Sequence, residues 1–321
     1  MKLCILIPAL NEEETIGNVI TSIPNSIKGV DKIEILVVDD GSSDRTVELA
    51  IECGAIIRSH QETRGVGSAF NTGLIAALEL GSDILVNIDA DGQFSPDEIQ
   101  LLISPILAGK ADFVSGDRFT CEDHKIRKPE HMSSIKFWGN QMMSRLISSM
   151  TGFRFADVSC GFRAYSKEAM LHLNLTGKFT YTQETFIDLA NKGLSILTVA
   201  VHVKYFPERE SRVATNLLSY MIRTIKIILR AYRDYKPLRF FGWLGLINII
   251  LGLIFGGFVL FHYIRTSAFS PYKFVVFIGV YFFSIGLLLW IVGLLADMFV
   301  RYRINQEKIL YYQKKRRFSR D

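Results

Sequence analysis

The sequence predicts an α/β domain built on a mostly parallel sheet, followed by an amphipathic juxtamembrane helix and two transmembrane helices. Three observations predict it. Short β-branched runs alternate with helical periods through the first two thirds of the chain, an order that gives parallel strands with helices on both faces. Aspartate-rich or otherwise polar turns follow three of those runs, and from Phe240 onward two long stretches carry almost no ionisable side chain.

Taken in order, residues 2–8, 33–38, 55–59, 83–88 and 112–115 read as strands, and residues 12–23, 44–53, 67–80 and 96–107 as the helices between them. Ser95-Pro96-Asp97-Glu98 predicts a defined start for the last helix, with Ser95 as N-cap, Pro96 at the first helical position and Glu98 at the third. Residues 120–133 are charged and aperiodic, which predicts a mobile loop over the sheet rim. Helical periods resume over residues 135–150 and 182–191, the latter stopped by Lys192-Gly193, and residues 195–205 supply a further strand.

Residues 240–264 interrupt an apolar run only with Asn248, His262 and glycines, and residues 274–296 carry no charge. Each stretch exceeds the roughly 20 residues that cross a hydrocarbon core, and the short connection between them predicts a hairpin. Residues 213–236 predict an amphipathic helix lying in the headgroup layer: Met221, Ile225, Ile228, Tyr232 and Tyr235 line one face, and Arg223, Lys226, Arg230 and Arg233 the other. Lys236 and Arg239 precede the first span, and Arg301, Arg303, Lys308, Lys314, Lys315, Arg316 and Arg317 follow the second. Positive flanks stay on the cytoplasmic side, so the α/β domain is expected at the cytoplasmic face of the inner membrane. The predicted division is 1–210 for the α/β domain, 211–238 for the juxtamembrane helix, 239–301 for the hairpin and 302–321 for a basic cytoplasmic tail.

The formal net charge of +5 gathers toward the C-terminal end, which suits a lipid surface and argues against a nucleic-acid partner. Cys4, Cys53, Cys121 and Cys160 are scattered, with no C-x-x-C pair and no histidine at ligand spacing, and read as idle thiols in a reducing compartment.

In parallel sheets, ligands bind outside the carboxyl ends of the strands. Pro8-Ala9-Leu10-Asn11-Glu12, Asp39-Asp40-Gly41-Ser42-Ser43-Asp44 and Asp89-Ala90-Asp91-Gly92-Gln93 all follow strands, so their polar groups converge on one rim. Asp89 and Asp91 suit a hard divalent cation that keeps positions for phosphate oxygens and water; a solvated acidic turn is the plain alternative. Arg64, Arg118 and Arg163 lie in glycine-containing turns and offer planar forks to phosphate, with a structural ion pair as the alternative for each.

In this order and spacing, these segments, with Val37-Val38 ahead of Asp39, Arg45-Thr46, Arg64-Gly65 and Gly161-Phe162-Arg163, resemble the family-2, GT-A-fold inverting glycosyltransferases. Within that group the chain is similar to the polyprenyl-phosphate sugar transferases, which include dolichol-phosphate mannose synthase and bacterial enzymes with a C-terminal transmembrane hairpin. The resemblance implies that Pro8, Ala9, Leu10, Asn11, Glu12, Asp39, Asp40, Arg64, Asp89, Ala90 and Arg212 bind a UDP- or GDP-linked sugar. It implies that Asp89, Asp91 and Gln93 hold Mg²⁺ or Mn²⁺, and that Asp91, Arg118, Asp157 and Arg163 serve the transfer itself. Asp157, Gly161 and Arg163 match a D-x-x-x-G-F-R segment bordering the acceptor; Ser211-Arg212 matches a pair near the donor phosphates, although Arg209 stands where glycine is common.

The implied acceptor is a polyprenyl phosphate in the membrane lipid, already ionised at neutral pH, so that no base is required and displacement inverts the anomeric carbon. If Asp157 acted as a base, a hydroxyl acceptor would be expected instead. Processive polysaccharide synthases share the acidic motifs but carry a Q-x-x-R-W segment, which is absent here. An inactive membrane-tethered nucleotide-sugar-binding scaffold would be expected to lose the carboxylates that Asp89 and Asp91 retain. Gly242, Gly245, Gly252, Gly256 and Gly257 suit close helix packing, within the hairpin or in a homo-oligomer.

Overall fold

The computed structural model describes residues 1–120, 125–130, 132–175, 181–204, 229–230 and 232–318. It divides into two compact units, Met1–Leu217 with Tyr311–Asp321, and Leu218–Leu310.

The first unit alternates strand and helix: β1 (Lys2–Ala9), α1 (Ile16–Thr21), β2 (Lys32–Asp39), α2 (Thr46–Glu52), β3 (Ile56–Ser59), α3 (Val66–Glu79), β4 (Ile84–Asn87), α4 (Ile99–Leu107) and β5 (Phe113–Asp117). Then follow α5 (Ser134–Thr151), β6 (Arg163–Ser166), α6 (Lys167–His172), α7 (Tyr181–Asn191) and β7 (Ile196–Ala200). The strands form one sheet in the order β3-β2-β1-β4-β6-β5-β7. All neighbours run parallel except at β6, which is antiparallel to both β4 and β5. At the centre, Leu3 to Ile7 of β1 are wholly buried, as expected of a strand covered on both faces. α3 packs so closely on β1 that a Cβ added to Gly73 would stand inside the Leu6 side chain.

Three departures from the predicted elements have physical causes. The helix predicted from Pro96 opens as a 3₁₀ turn, Pro96–Glu98, without a side-chain cap from Ser95. Glu98 is drawn away: its carboxylate accepts the His202 backbone N–H at 3.1 Å and faces His202 Nδ1 at 2.6 Å. α1 is shorter than residues 12–23 because the segment before it bonds to the next loop, with Glu12 N–H donating to Thr46 Oγ1 at 2.8 Å. Arg163, read as a turn residue, instead opens the buried strand β6. Its guanidinium donates to the carbonyls of Cys160, Val158 and Thr182 at 2.6, 3.0 and 2.7 Å, which satisfies a buried cation without a carboxylate.

The second unit holds most of two long helices, α8 (Pro237–Thr266) and α9 (Lys273–Phe318), both long and apolar enough to cross a membrane. They meet along glycines seven residues apart, Gly245 and Gly252 on α8 with Gly279, Gly286 and Gly293 on α9. A Cβ on Gly252 would lie 2.7 Å from Phe283 N and 2.8 Å from Gly279 O. Seven-residue spacing keeps a seam facing its partner, and the absence of side chains lets the backbones approach. Gly242, Gly256 and Gly257 have open space where a Cβ would be, so of the five α8 glycines only Gly245 and Gly252 are required by the seam to lack a side chain.

The last turns of α9 belong to the first unit. Tyr311 stacks on His172 with ring centroids 4.1 Å apart and donates to Glu168 at 2.7 Å. Lys314 Nζ donates to Leu173 O and Asn174 Oδ1 at 2.6 and 3.0 Å, capping the C-terminal end of α6. Burial pulls the Lys314 ammonium down to about 8. The predicted juxtamembrane helix, residues 213–236, lies mainly outside the described residues, as do Arg209, Ser211 and Arg212 and part of the 120–133 loop.

Candidate active site

The carboxyl ends of β1, β2 and β4 stand side by side in the sheet, and the segments leaving β1 and β2 are tied together by hydrogen bonds. Asn11, at a φ of 51°, accepts the Ser43 N–H at 2.8 Å through Oδ1, and its own N–H donates to Ser42 Oγ at 2.9 Å. Asp39 Oδ1 accepts the Ser42 N–H at 3.0 Å. Glu13 accepts the Arg45 N–H at 3.0 Å. Pro8, Ala9 and Leu10 form the end of β1 and the start of this turn. The two segments are therefore one surface, with its backbone already fixed.

Asp40 is buried and fully engaged. Its Oδ1 accepts the Arg64 N–H at 2.9 Å and lies 2.8 Å from His60 Nδ1; its Oδ2 accepts the Gly65 N–H at 2.7 Å. Arg64 itself is exposed, and its side chain has no protein partner among the described residues.

Asp89 and Asp91 follow β4. Asp89 is half-buried, and desolvation, with the like charge of Asp91 next, pushes its carboxyl up to about 7 against the pull of Arg118 and Arg163. Glu12 adds to the repulsion. Room for this carboxylate comes from Gly161, where a Cβ would lie 2.7 Å from Asp89 Oδ1. Asn87 Nδ2 donates to Gly161 O at 2.8 Å and holds that glycine in place. Asp91 Oδ1 accepts the Gln93 N–H at 3.0 Å, which closes the turn around Ala90 and Gly92. Two carboxylates of like charge this close could serve as donors to a divalent cation. Among the described residues no cluster of three or more His, Cys, Asp or Glu is arranged as a metal cage, so such a cation would complete its shell with phosphate and water, as Mg²⁺ commonly does.

Asp157 has the opposite character. It is wholly buried, yet Arg118 Nε and Nη2 donate to its two oxygens at 2.7 and 3.1 Å. The Ser159 N–H and Oγ both donate to Oδ1 at 2.9 Å. Desolvation alone would raise its pKa; the Arg118 charge and these hydrogen bonds overcome it and hold the carboxyl below the usual range. Arg163, equally buried, lies with its guanidinium 5.0 Å from the Phe186 ring centroid and reaches Asp89 only through its charge.

Sequence reasoning missed His60 and Tyr181. Tyr181, the first residue of α7, is buried against Phe70 with ring centroids 4.7 Å apart. Burial, with the Asp89 charge next, raises its hydroxyl pKa well above the ordinary range. Neither residue belongs to the acidic or glycine-marked turns from which the site was read.

The family model of glycosyl transferase family 2 matches residues 4–173. A UDP-N-acetylglucosamine–dolichyl-phosphate N-acetylglucosaminyltransferase of Methanococcus voltae is 34% identical over 68% of this chain and 92% of its own length. The glycosyltransferase AglJ of Haloferax volcanii is 29% identical over 95% of this chain and 96% of its own. Among solved structures, glucosyl-3-phosphoglycerate synthase from Mycobacterium tuberculosis, in complex with Mn²⁺, UDP and phosphoglyceric acid, superposes with a TM-score of 0.55 at 23% identity, covering 72% of this chain and 77% of that one. That likeness establishes the fold.

Proposed function

The chain belongs to glycosyl transferase family 2, and from that premise we propose that it transfers a sugar from a UDP-linked donor to a polyprenyl phosphate, with inversion, at the cytoplasmic face of the inner membrane. The observation that carries the acceptor assignment is the state of Asp157. Its oxygens are taken by Arg118 and Ser159, and its pKa is held low, so it is unfit to remove a proton from a hydroxyl. An acceptor phosphate needs no such base. One of its oxygens attacks the anomeric carbon, the bond from that carbon to the donor diphosphate breaks, and the nucleoside diphosphate leaves with the electron pair.

The chain's own residues divide this work. The surface formed by Pro8 to Glu12 with Asp39 holds the nucleoside, and the Arg64 turn lies beside it. Asp89 and Asp91, with Gln93 next to them, hold Mg²⁺ or Mn²⁺, which when bound neutralises the charge of the diphosphate. Arg118, fixed by Asp157, is assigned to the phosphates, its charge reaching Asp89, while Arg163 acts as a buried scaffold whose charge reaches Asp89 too. Gly161 matters for the room it leaves the Asp89 carboxylate, and Ala90 is assigned to the donor on the resemblance alone. Arg212 is assigned to the donor phosphates on the resemblance alone. The UDP preference rests on the Methanococcus relative, and the membrane placement on the two apolar helices and the basic flanks.

Purified protein in lipid nanodiscs, offered labelled nucleotide sugars with undecaprenyl phosphate, undecaprenol or soluble sugars, tests the reading. Label should enter the organic phase only with the phosphate. Transfer to undecaprenol, or only to soluble sugars, would reject it.

A further inference from the structure

His60 follows the last residue of β3, is almost completely buried, and touches three separate parts of the fold. Its backbone N–H donates to Asp39 O at 2.9 Å. Its Nδ1 lies 2.8 Å from Asp40 Oδ1, and its Nε2 lies 2.9 Å from Thr72 Oγ1 on α3. A carboxylate only accepts, so Nδ1 carries the proton shared with Asp40, and Nε2 pairs with the Thr72 hydroxyl. One imidazole thus links α3 to the residue after β2. The same Asp40 carboxylate receives the N–H groups of Arg64 and Gly65, so whatever fixes Asp40 also fixes that turn. Gly65 has a φ of 97° and starts α3, leaving the turn little intrinsic preference for this conformation.

The turn is also seated against the β2 loop. Gly41, at a φ of 86°, has Thr63 N and the Glu62 carbonyl carbon 3.1 and 3.2 Å from where a Cβ would be. The seat brings the 62–65 backbone against the Asp39–Ser43 segment and leaves the Arg64 guanidinium exposed, without a protein partner among the described residues. A cation delivered by a backbone-locked turn suits an anionic ligand bound at that segment.

We propose that His60 is a positioning residue for nucleoside diphosphate binding: through Asp40 it holds the 62–65 turn where Arg64 meets the donor's phosphates. This rests on the donor-binding reading above. His60 itself touches no substrate, and Asp40 acts by accepting the turn's N–H groups rather than by contacting the nucleotide.

The test measures UDP and GDP binding by calorimetry in the presence of Mn²⁺, with the KM and kcat for the nucleotide sugar and the Tm of each variant. His60→Ala removes both ring contacts; His60→Asn restores a donor near the Nδ1 position; His60→Gln reaches the Nε2 position instead. Losing the Asp40 anchor should weaken diphosphate binding and raise KM about tenfold, with kcat changed by less than about twofold, the size of one charge-assisted hydrogen bond. His60→Asn should recover most of that loss and His60→Gln little of it. In an Arg64→Ala background, His60→Ala should have little further effect on binding. Unchanged binding with a lowered Tm, equal rescue by Asn and Gln, or full additivity with Arg64→Ala would overturn the proposal. A wild-type protein that binds neither diphosphate would remove the donor reading itself, and this inference with it.

Discussion

Asp157 and Asp89 lie on the two sides of the same glycine, Gly161, and meet opposite fates. Asp157, four residues before it, is wholly buried and is compensated by a bidentate arginine and a serine. Asp89 abuts it, half-buried, with Asp91 and Glu12 adding charge of its own sign. Burial pushes both carboxyls upward; what differs is the balance against it. At Asp157 the Arg118 charge and direct hydrogen bonds outweigh desolvation, and the carboxylate is a strut. At Asp89 the charges of Arg118 and Arg163 do not outweigh desolvation and the like charge of Asp91, and the pKa stays raised.

Breaking the contrast at its stronger pole should give the largest effect. Asp91→Asn should lower turnover by at least about a hundredfold, the scale of losing transition-state charge stabilisation, while Tm and membrane association stay unchanged. Steady-state rates beside a melting curve check it; full activity would remove the metal assignment. Asp157→Asn inverts the pattern. It strands Arg118 and should cost about 3–5 kcal/mol of stability, read by denaturant unfolding of the first unit, with the loss of activity following from misplacement of Arg118.

Proton linkage sharpens the comparison. The Asp157 pKa is lowered by folding, so its stabilisation is complete above the ordinary carboxylate range and is lost as pH falls through its lowered value. The Asp89 pKa is raised, so its contribution is complete at acid pH and is lost as pH rises through about 7. A cation competes with that proton. Mn²⁺ affinity, followed by titration calorimetry, should weaken by about tenfold per pH unit below the Asp89 value and level off above it. Flat affinity between pH 5 and 8 would deny the coupling.

The parallel sheet, the rim of polar turns and the apolar hairpin were legible because each is written in periodicity or composition. The division of labour among the rim residues was not. Asp39 and Asp40 are adjacent and identical in the sequence; that Asp40 is saturated depends on His60 and the Arg64 turn, brought in from later in the chain. Arg163 read as a phosphate fork because it lies in a glycine-containing turn, and only the geometry reveals the three carbonyls that receive its guanidinium. Ser95 and Pro96 stand at the N-cap and first turn as predicted, but the capping box does not close, because the Glu98 carboxylate finds His202, more than a hundred residues away. Long-range pairing overrides local signals wherever a charged side chain has a better partner than its own helix.

The hairpin offers a smaller test, between a glycine whose Cβ would enter the seam and one whose Cβ would meet open space. Gly252→Leu should splay α8 from α9 and lower the thermal stability of the detergent-solubilised protein by several degrees, whereas Gly256→Leu should leave it unchanged. A smaller effect again is expected at the end of α9, where Lys314→Ala should cost about 1 kcal/mol by uncapping α6, seen as faster hydrogen exchange around Leu173.

The central claim, that an ionised phosphate attacks the donor without a protein base, is tested most directly by the linkage in the product. NMR of the lipid product should show a phosphodiester joining the sugar to the polyprenyl chain, with the anomeric configuration opposite to that of the donor. A retained configuration, or a sugar attached through a hydroxyl oxygen, would contradict the account.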